Sequence, residues 1–207
     1  MIYGRLNILG YGSVDRAAFE SFTKFKEARD AADALVLEVL DQVALQTGAP
    51  ARLPPAAASP GNPRPLGELE TWLDLKRLAA HAEGGSLPEG PRDFPDPSAD
   101  PVLRPYLSGK EASNYPHLLG HAESEGVFIP LPFPRPFWLA KEQVSVGSVP
   151  GLAAELERLE RIVGAHKDVF PAEVELLEKL LALCREADRG RLSIELSSKK
   201  QGVQEAH

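Results

Sequence analysis

Proline placement constrains this chain more than any other sequence feature. Of its 19 prolines, six fall in 50–65, six in 88–105 and five in 116–136. Each proline fixes φ and removes an amide donor, so these three patches cannot be helix interior. Helices must lie between them. The first patch, 50–65, contains no periodic apolar residues and reads as an extended surface loop; the second, 88–105, is again irregular, with Phe94, Leu103 and Tyr106 expected to anchor it onto the body.

Apolar spacing then places the helices. The longest is expected from about Arg16 to Gln46, with Asp15 as N-cap, Gly48 as terminator and a break near Asp30. Phe19, Phe22 and Phe25, followed by Leu35, Val36, Val39, Leu40 and Val43, draw its inner stripe. A shorter helix carries Leu66, Leu69, Trp72, Leu73 and Leu78 and ends before Gly84-Gly85. Beyond residue 150, one stripe is Leu152, Leu156, Leu159 and Val163, and a second is Val174, Leu177, Leu181 and Cys184. With Pro171 suited to a first helical turn, the pair is expected to pack as an antiparallel hairpin.

Strand signals are fewer. "RLSIELS" turns Leu192, Ile194 and Leu196 to one side, and "MIYGRLNIL" does the same with Ile2, Leu6 and Ile8, Gly4 breaking the row. "GVFIPLPF" is restricted by Pro130 and Pro132 to a sheet edge or an irregular stretch. The fold class expected is α+β: a single helix-dominated domain over 1–197 with a small mixed or antiparallel sheet built from the termini and 127–133. Residues 198–207 read as a flexible tail.

Charge and cysteine usage narrow the function. With 30 acidic against 23 basic side chains the net charge is -7, so the long-range field repels nucleic acid and anionic membranes. It favours a basic protein partner. The lone cysteine excludes an intrachain disulfide and a multi-thiolate zinc site. Neither a leader nor a membrane span is visible, and a cytoplasmic, bacterial setting is expected.

Four stretches could carry chemistry. In "NYPHLLGHAESEG", a helix over 113–123 capped by Ser113 would stack His117 and His121 one turn apart, with Glu125 as third ligand to zinc. Leu118 replaces the general base of a zincin motif, and Gly120 weakens the helix by about 1 kcal/mol relative to alanine. The architectural alternative has both histidines packing the helix, with Glu123 and Glu125 as surface charge; Ser113 is a cap before it is a nucleophile. Cys184 on an inward stripe reads as a buried apolar residue. Gly10 to Ser13 could hold a phosphate but lack the rest of either glycine-rich fingerprint. The block "GVFIPLPFPRPFW" either threads the core or presents Phe133, Arg135, Phe137 and Trp138 to a partner.

The run "HLLGHAESEGVFIPLPF" followed by "VGSVPGLAAELERLERIVG" resembles a family of uncharacterised bacterial proteins. Its members carry a His-Leu-x-x-His-Ser-Asp-x-Glu-Gly-Tyr-Tyr-x-Pro-like segment and a Gly-Ser-Ser turn opening a leucine-rich helix. Here Ala122-Glu123, Val127-Phe128 and Gly147-Ser148-Val149 stand at the variant positions. The resemblance covers about 50 residues and implies one structural unit; no activity attaches to it. The function expected is therefore non-enzymatic protein binding, immunity- or adaptor-like, without a cofactor. Its alternative is a zinc-dependent hydrolase or metal-binding domain using the 117–125 segment.

Overall fold

The computed structural model describes residues 1–7, 21–90, 100–107, 112–121, 126–140 and 143–198. Among these residues six strands form one mixed sheet in the order β2-β1-β6-β3-β5-β4. β1 (Ile2–Asn7) lies antiparallel between β2 (Arg64–Gly67) and β6 (Ser193–Ser197). β6 pairs antiparallel with β3 (Gly126–Ile129), β3 runs parallel to β5 (Val144–Ser148), and β4 (Phe137–Leu139) closes the far edge antiparallel to β5. The fold is α+β, as the alternation of stripes and strands predicts.

Consecutive residues of a strand point to opposite faces, and the two cores divide accordingly. Phe128, Ile194, Leu196, Ile2 and Leu6 face a large cluster built with α2 (Leu69–Glu83), α5 (Val149–Val163) and α6 (Pro171–Gly190). Ile129, Val146 and Leu139 face a smaller cluster completed by Val39 and Val43 of α1 (Phe22–Thr47). Among the described residues the sheet thus has α2, α5 and α6 packed on one side and α1 on the other.

The stripes of α5 and α6 pack as the spacing predicts: all eight residues named for them are buried. Four details differ. Leu66, assigned by its spacing to the second helix, lies on β2, and α2 starts only at Leu69. Helix α1 starts at Phe22, because Ser21 accepts the Lys24 N–H at 3.2 Å as N-cap, and it runs unbroken past Asp30 to Gly48, whose φ of 70° ends it. Asp15 and Arg16 lie outside the described residues. β3 is an interior strand rather than an edge, since it stops at Ile129, before either proline can interrupt a ladder. Gly4 does not break β1: it is buried in register, and a Cβ there would lie 2.6 Å from Leu183 Cδ2, so glycine lets α6 approach. Among the described residues no helix is long and apolar enough to cross a membrane.

Candidate functional site

The histidine segment folds differently from its predicted helix. α4 is a single turn, Pro116–Leu119, preceded by α3 (Arg104–Leu107). It ends at Gly120, where an added Cβ would come within 2.8 Å of the Pro116 carbonyl oxygen and 3.1 Å of Pro136. His117 lies on that turn and His121 beyond it, so they do not share a helical face. Ser113 is not the cap either: its hydroxyl bonds Glu83 at 2.5 Å and accepts the Tyr115 N–H at 2.8 Å.

His117 joins three elements. Its Nε2 is 2.9 Å from the Phe133 carbonyl oxygen, and its Nδ1 accepts the Ser148 N–H at 3.2 Å. A carbonyl can only accept and an amide N–H can only donate, so the ring is the neutral tautomer protonated at Nε2. Burial pushes this imidazole down to about 4, opposed by its bond to Phe133. The Ser148 hydroxyl accepts the Gly151 N–H at 3.0 Å, capping α5, and donates to the Leu131 carbonyl at 2.7 Å. From α5, the buried Glu155 accepts the N–H groups of His117 and Leu118 at 2.9 and 2.8 Å. Burial pushes its carboxyl up to about 8, against the lowering pull of those two amides.

The His121 ring stacks on Phe128, centroids 4.1 Å apart and 14° between planes. Its backbone carbonyl accepts the ammonium of buried Lys76 at 2.7 Å, and that ammonium also sits 5.5 Å over the Trp72 ring. Glycine floors the ring: a Cβ on Gly126, whose φ is 152°, would meet His121 Cε1 at 2.3 Å. Glu123, Glu125 and the residues Gly10 to Ser13 lie outside the described residues. Among those described, no three His, Cys, Asp or Glu side chains gather to hold a metal ion. The lone pair of His117 is committed to Ser148.

The aromatic ribbon is split between interior and surface. Phe133 is buried and packs edge-on against His117, their centroids 5.4 Å apart. Arg135 is exposed, with its backbone N–H on Gln46; Phe137 is half-buried, and Trp138 is 52% exposed on the edge strand. Cys184 is fully buried and its thiol is pushed up to about 12 by that burial.

The most distinctive charge pattern lies on α1. With its Val39 and Val43 side held to the sheet, the opposite side faces solvent. At 100° per residue, Glu27, Asp30, Glu38 and Asp41 fall within a sector of about 80° and span about 21 Å of helix axis. Asp33 adds a fifth carboxylate alongside. From Asp30 to Thr47 the helix contains no lysine or arginine, and no cation sits in its last turn to offset the negative end of the helix dipole. Among the described residues only Asp30 of these five has an ion pair, with Arg29 at 3.6 Å. Four acids of α5 and α6 have cation partners: Glu186 with Arg64, Glu178 with Lys167, Glu175 with Lys179 and Glu157 with Arg185. Leu37 and Leu45, 63% and 76% exposed, stand among the α1 carboxylates rather than on the inner stripe.

The sequence contained this signal as an acid-only run with two leucines out of phase. A search for catalytic spacings passes over it, because a charged outer helix face is the ordinary condition of a soluble protein. Lys76, Glu155 and the buried Arg77–Asp100 pair, 2.7 Å apart, had no signal at all.

Residues 13–200 match the model of a protein family described as "Putative DNA-mimic protein", a span that includes α1 and the histidine segment. No curated protein and no solved structure matches the chain. The family match points to protein binding by imitation of nucleic acid: it overturns the alternative of a zinc-dependent hydrolase and gives no support to an immunity role, while protein binding of an adaptor-like kind is only loosely compatible with it. It also overturns the expectation of a partner defined simply as basic. Net charge describes only a long-range field; imitation of DNA requires charges placed on one surface, a property that composition does not report.

Proposed function

The chain belongs to this DNA-mimic family, and from that premise we propose that it occupies the DNA-binding site of a protein and keeps DNA out. The observation that carries the proposal is the outer face of α1. The four carboxylates of that face, with Asp33 beside them, span about 21 Å in axial steps of about 4.5–7.5 Å, the same scale as, and somewhat wider than, the 3.4 Å axial spacing of phosphates along one strand of a duplex. They project from one helix whose far side is held to the sheet at Val39 and Val43, so helix geometry sets their spacing before binding. Groups that would hold successive phosphates meet carboxylates instead.

Displacement from DNA tests this. An extract of the protein's own cells is bound to a duplex-DNA resin at about 0.1 M salt, and the purified chain is added in solution. Wild type is expected to release a discrete protein, whereas a D30N/E38Q/D41N variant with unchanged thermal stability is expected to release none. Equal release by both proteins, or release by neither, refutes the proposal.

A further inference from the structure

The carboxylates of α1 leave one property of its outer face unexplained. Leu37 and Leu45 are the two most exposed large apolar side chains among the described residues, at 63% and 76%. They lie eight residues apart, about 12 Å along the axis, and within a sector of about 100° that also contains Glu27, Asp30, Glu38 and Asp41. Val39 and Val43, on the opposite side, are buried against the sheet, so the helix cannot roll to hide these leucines. Beside Leu45 the surface dips into a shallow depression lined by Leu40, Ala44, Gly48 and Pro50. A phosphate backbone has no counterpart to such side chains.

We propose that Leu37 and Leu45 are the specificity-determining contacts of this face: they meet apolar surface within the partner's DNA-binding site and hold the complex at ionic strengths that release DNA. The proposal rests on the reading of α1 as the DNA-replacing surface. The occupant is a DNA-binding protein and not a second copy of the chain, because two α1 faces brought together would oppose Asp30, Glu38 and Asp41 to their own counterparts. Like charges at contact are destabilising.

The physical difference between mimic and DNA lies in salt dependence. Each phosphate contact releases condensed counterions, with a log–log slope of about -0.9 per contact, so a protein gripping six phosphates loses roughly a thousandfold in DNA affinity between 50 and 200 mM salt. Apolar burial has no such dependence, since no ion is displaced. Most of each leucine is available to be buried, which corresponds to about tenfold in affinity per side chain.

The test uses the protein that the wild-type chain releases from duplex-DNA resin, purified and titrated at 50 and 200 mM salt against wild type, L37S/L45S and D30N/E38Q/D41N. The leucine variant is expected to lose about 100-fold at both salts, leaving the salt slope unchanged; the carboxylate variant is expected to lose more at 50 mM and to flatten the slope. Both variants alter exposed side chains and should keep the wild-type melting temperature. If L37S/L45S binds within threefold of wild type while the carboxylate variant is weakened, the leucine proposal fails and the DNA-mimic reading stands. If neither variant is weakened, or no protein is released from the resin, that reading fails and this inference fails with it. A wild-type dimer that L37S/L45S converts to monomer would assign the leucines to self-association and overturn the proposal.

Discussion

Replacing Gly151 by alanine should destabilise the protein although alanine is the better helix former. In an open helix the exchange is worth up to about 1 kcal/mol in favour of alanine. Here the new methyl would lie 2.3 Å from His117 Cδ2 and 2.5 Å from Nε2, so ring or helix must move by more than 1 Å to restore normal contact. Movement of that size breaks the 2.9 Å bond to Phe133 or the 3.2 Å bond from Ser148. An orphaned buried polar group costs about 1–3 kcal/mol, and overpacking adds about 1–3 kcal/mol. After subtracting the propensity gain, the net loss is about 1–5 kcal/mol, equivalent to a fall in melting temperature of roughly 3–15 °C for a chain of this size. Thermal and urea denaturation of G151A report it directly. Gly164, with nothing within 4 Å of its would-be Cβ, supplies the control, and G164A should change stability by less than about 1 kcal/mol. A G151A melting temperature at or above wild type would refute the placement of the His117 ring against α5.

Three further outcomes follow from buried charge and exposed surface. His117, held near 4 against an ordinary 6.5, contributes stability that is complete above about pH 6.5 and lost as pH falls towards 4; Glu155, raised from 4.5 to about 8, contributes stability present below 4.5 and lost as pH rises through 8. Wild-type urea midpoints should therefore decline between pH 6.5 and 8, by up to about 1.4 kcal/mol per unit, and E155Q should lack much of that decline; parallel profiles would be inconsistent with an ionising Glu155. The R77M variant leaves Asp100 buried without its cation at a cost of about 3–5 kcal/mol. Burial raises the Asp100 carboxyl, but the amides of Val102 and Leu103 together with Arg77 outweigh it and hold it below the usual range, so its contribution is lost as pH falls. Acid unfolding of R77M, followed by circular dichroism, should move to higher pH. Of the two tryptophans, Trp72 is fully buried and Trp138 half-exposed; W138F should abolish the acrylamide-quenchable part of native emission, and persistence of that part would mean α2 is open.

The regular helices were legible because burial on one face requires a recurring stripe, and Leu152 to Val163 and Val174 to Cys184 supply nothing else. The strands were only partly legible. β2 and β4 lie in proline-rich sequence and pair through a few backbone bonds at the two sheet edges, so the residues themselves say little. β3 looked like an edge because Pro130 and Pro132 stand close by, yet a proline that follows the last ladder bond costs that ladder nothing.

The candidate surfaces divide along the same line. Helix phase alone places Glu27, Asp30, Glu38 and Asp41 together, because local geometry is set by residues a few positions apart. Which way that face points depends on Val39 and Val43 meeting Ile129 and Val146 from distant strands. The histidines show the converse: His117 and His121 are four apart, but Gly120 ends the turn between them, and Phe133, Ser148 and Glu155 fix the first. Sequence determined the long helices and the charge pattern along them, since both are properties of short stretches. Tertiary structure decided which charges stay in water and which imidazole nitrogens are consumed, since desolvation and hydrogen bonding there depend on residues brought close only by the folded chain.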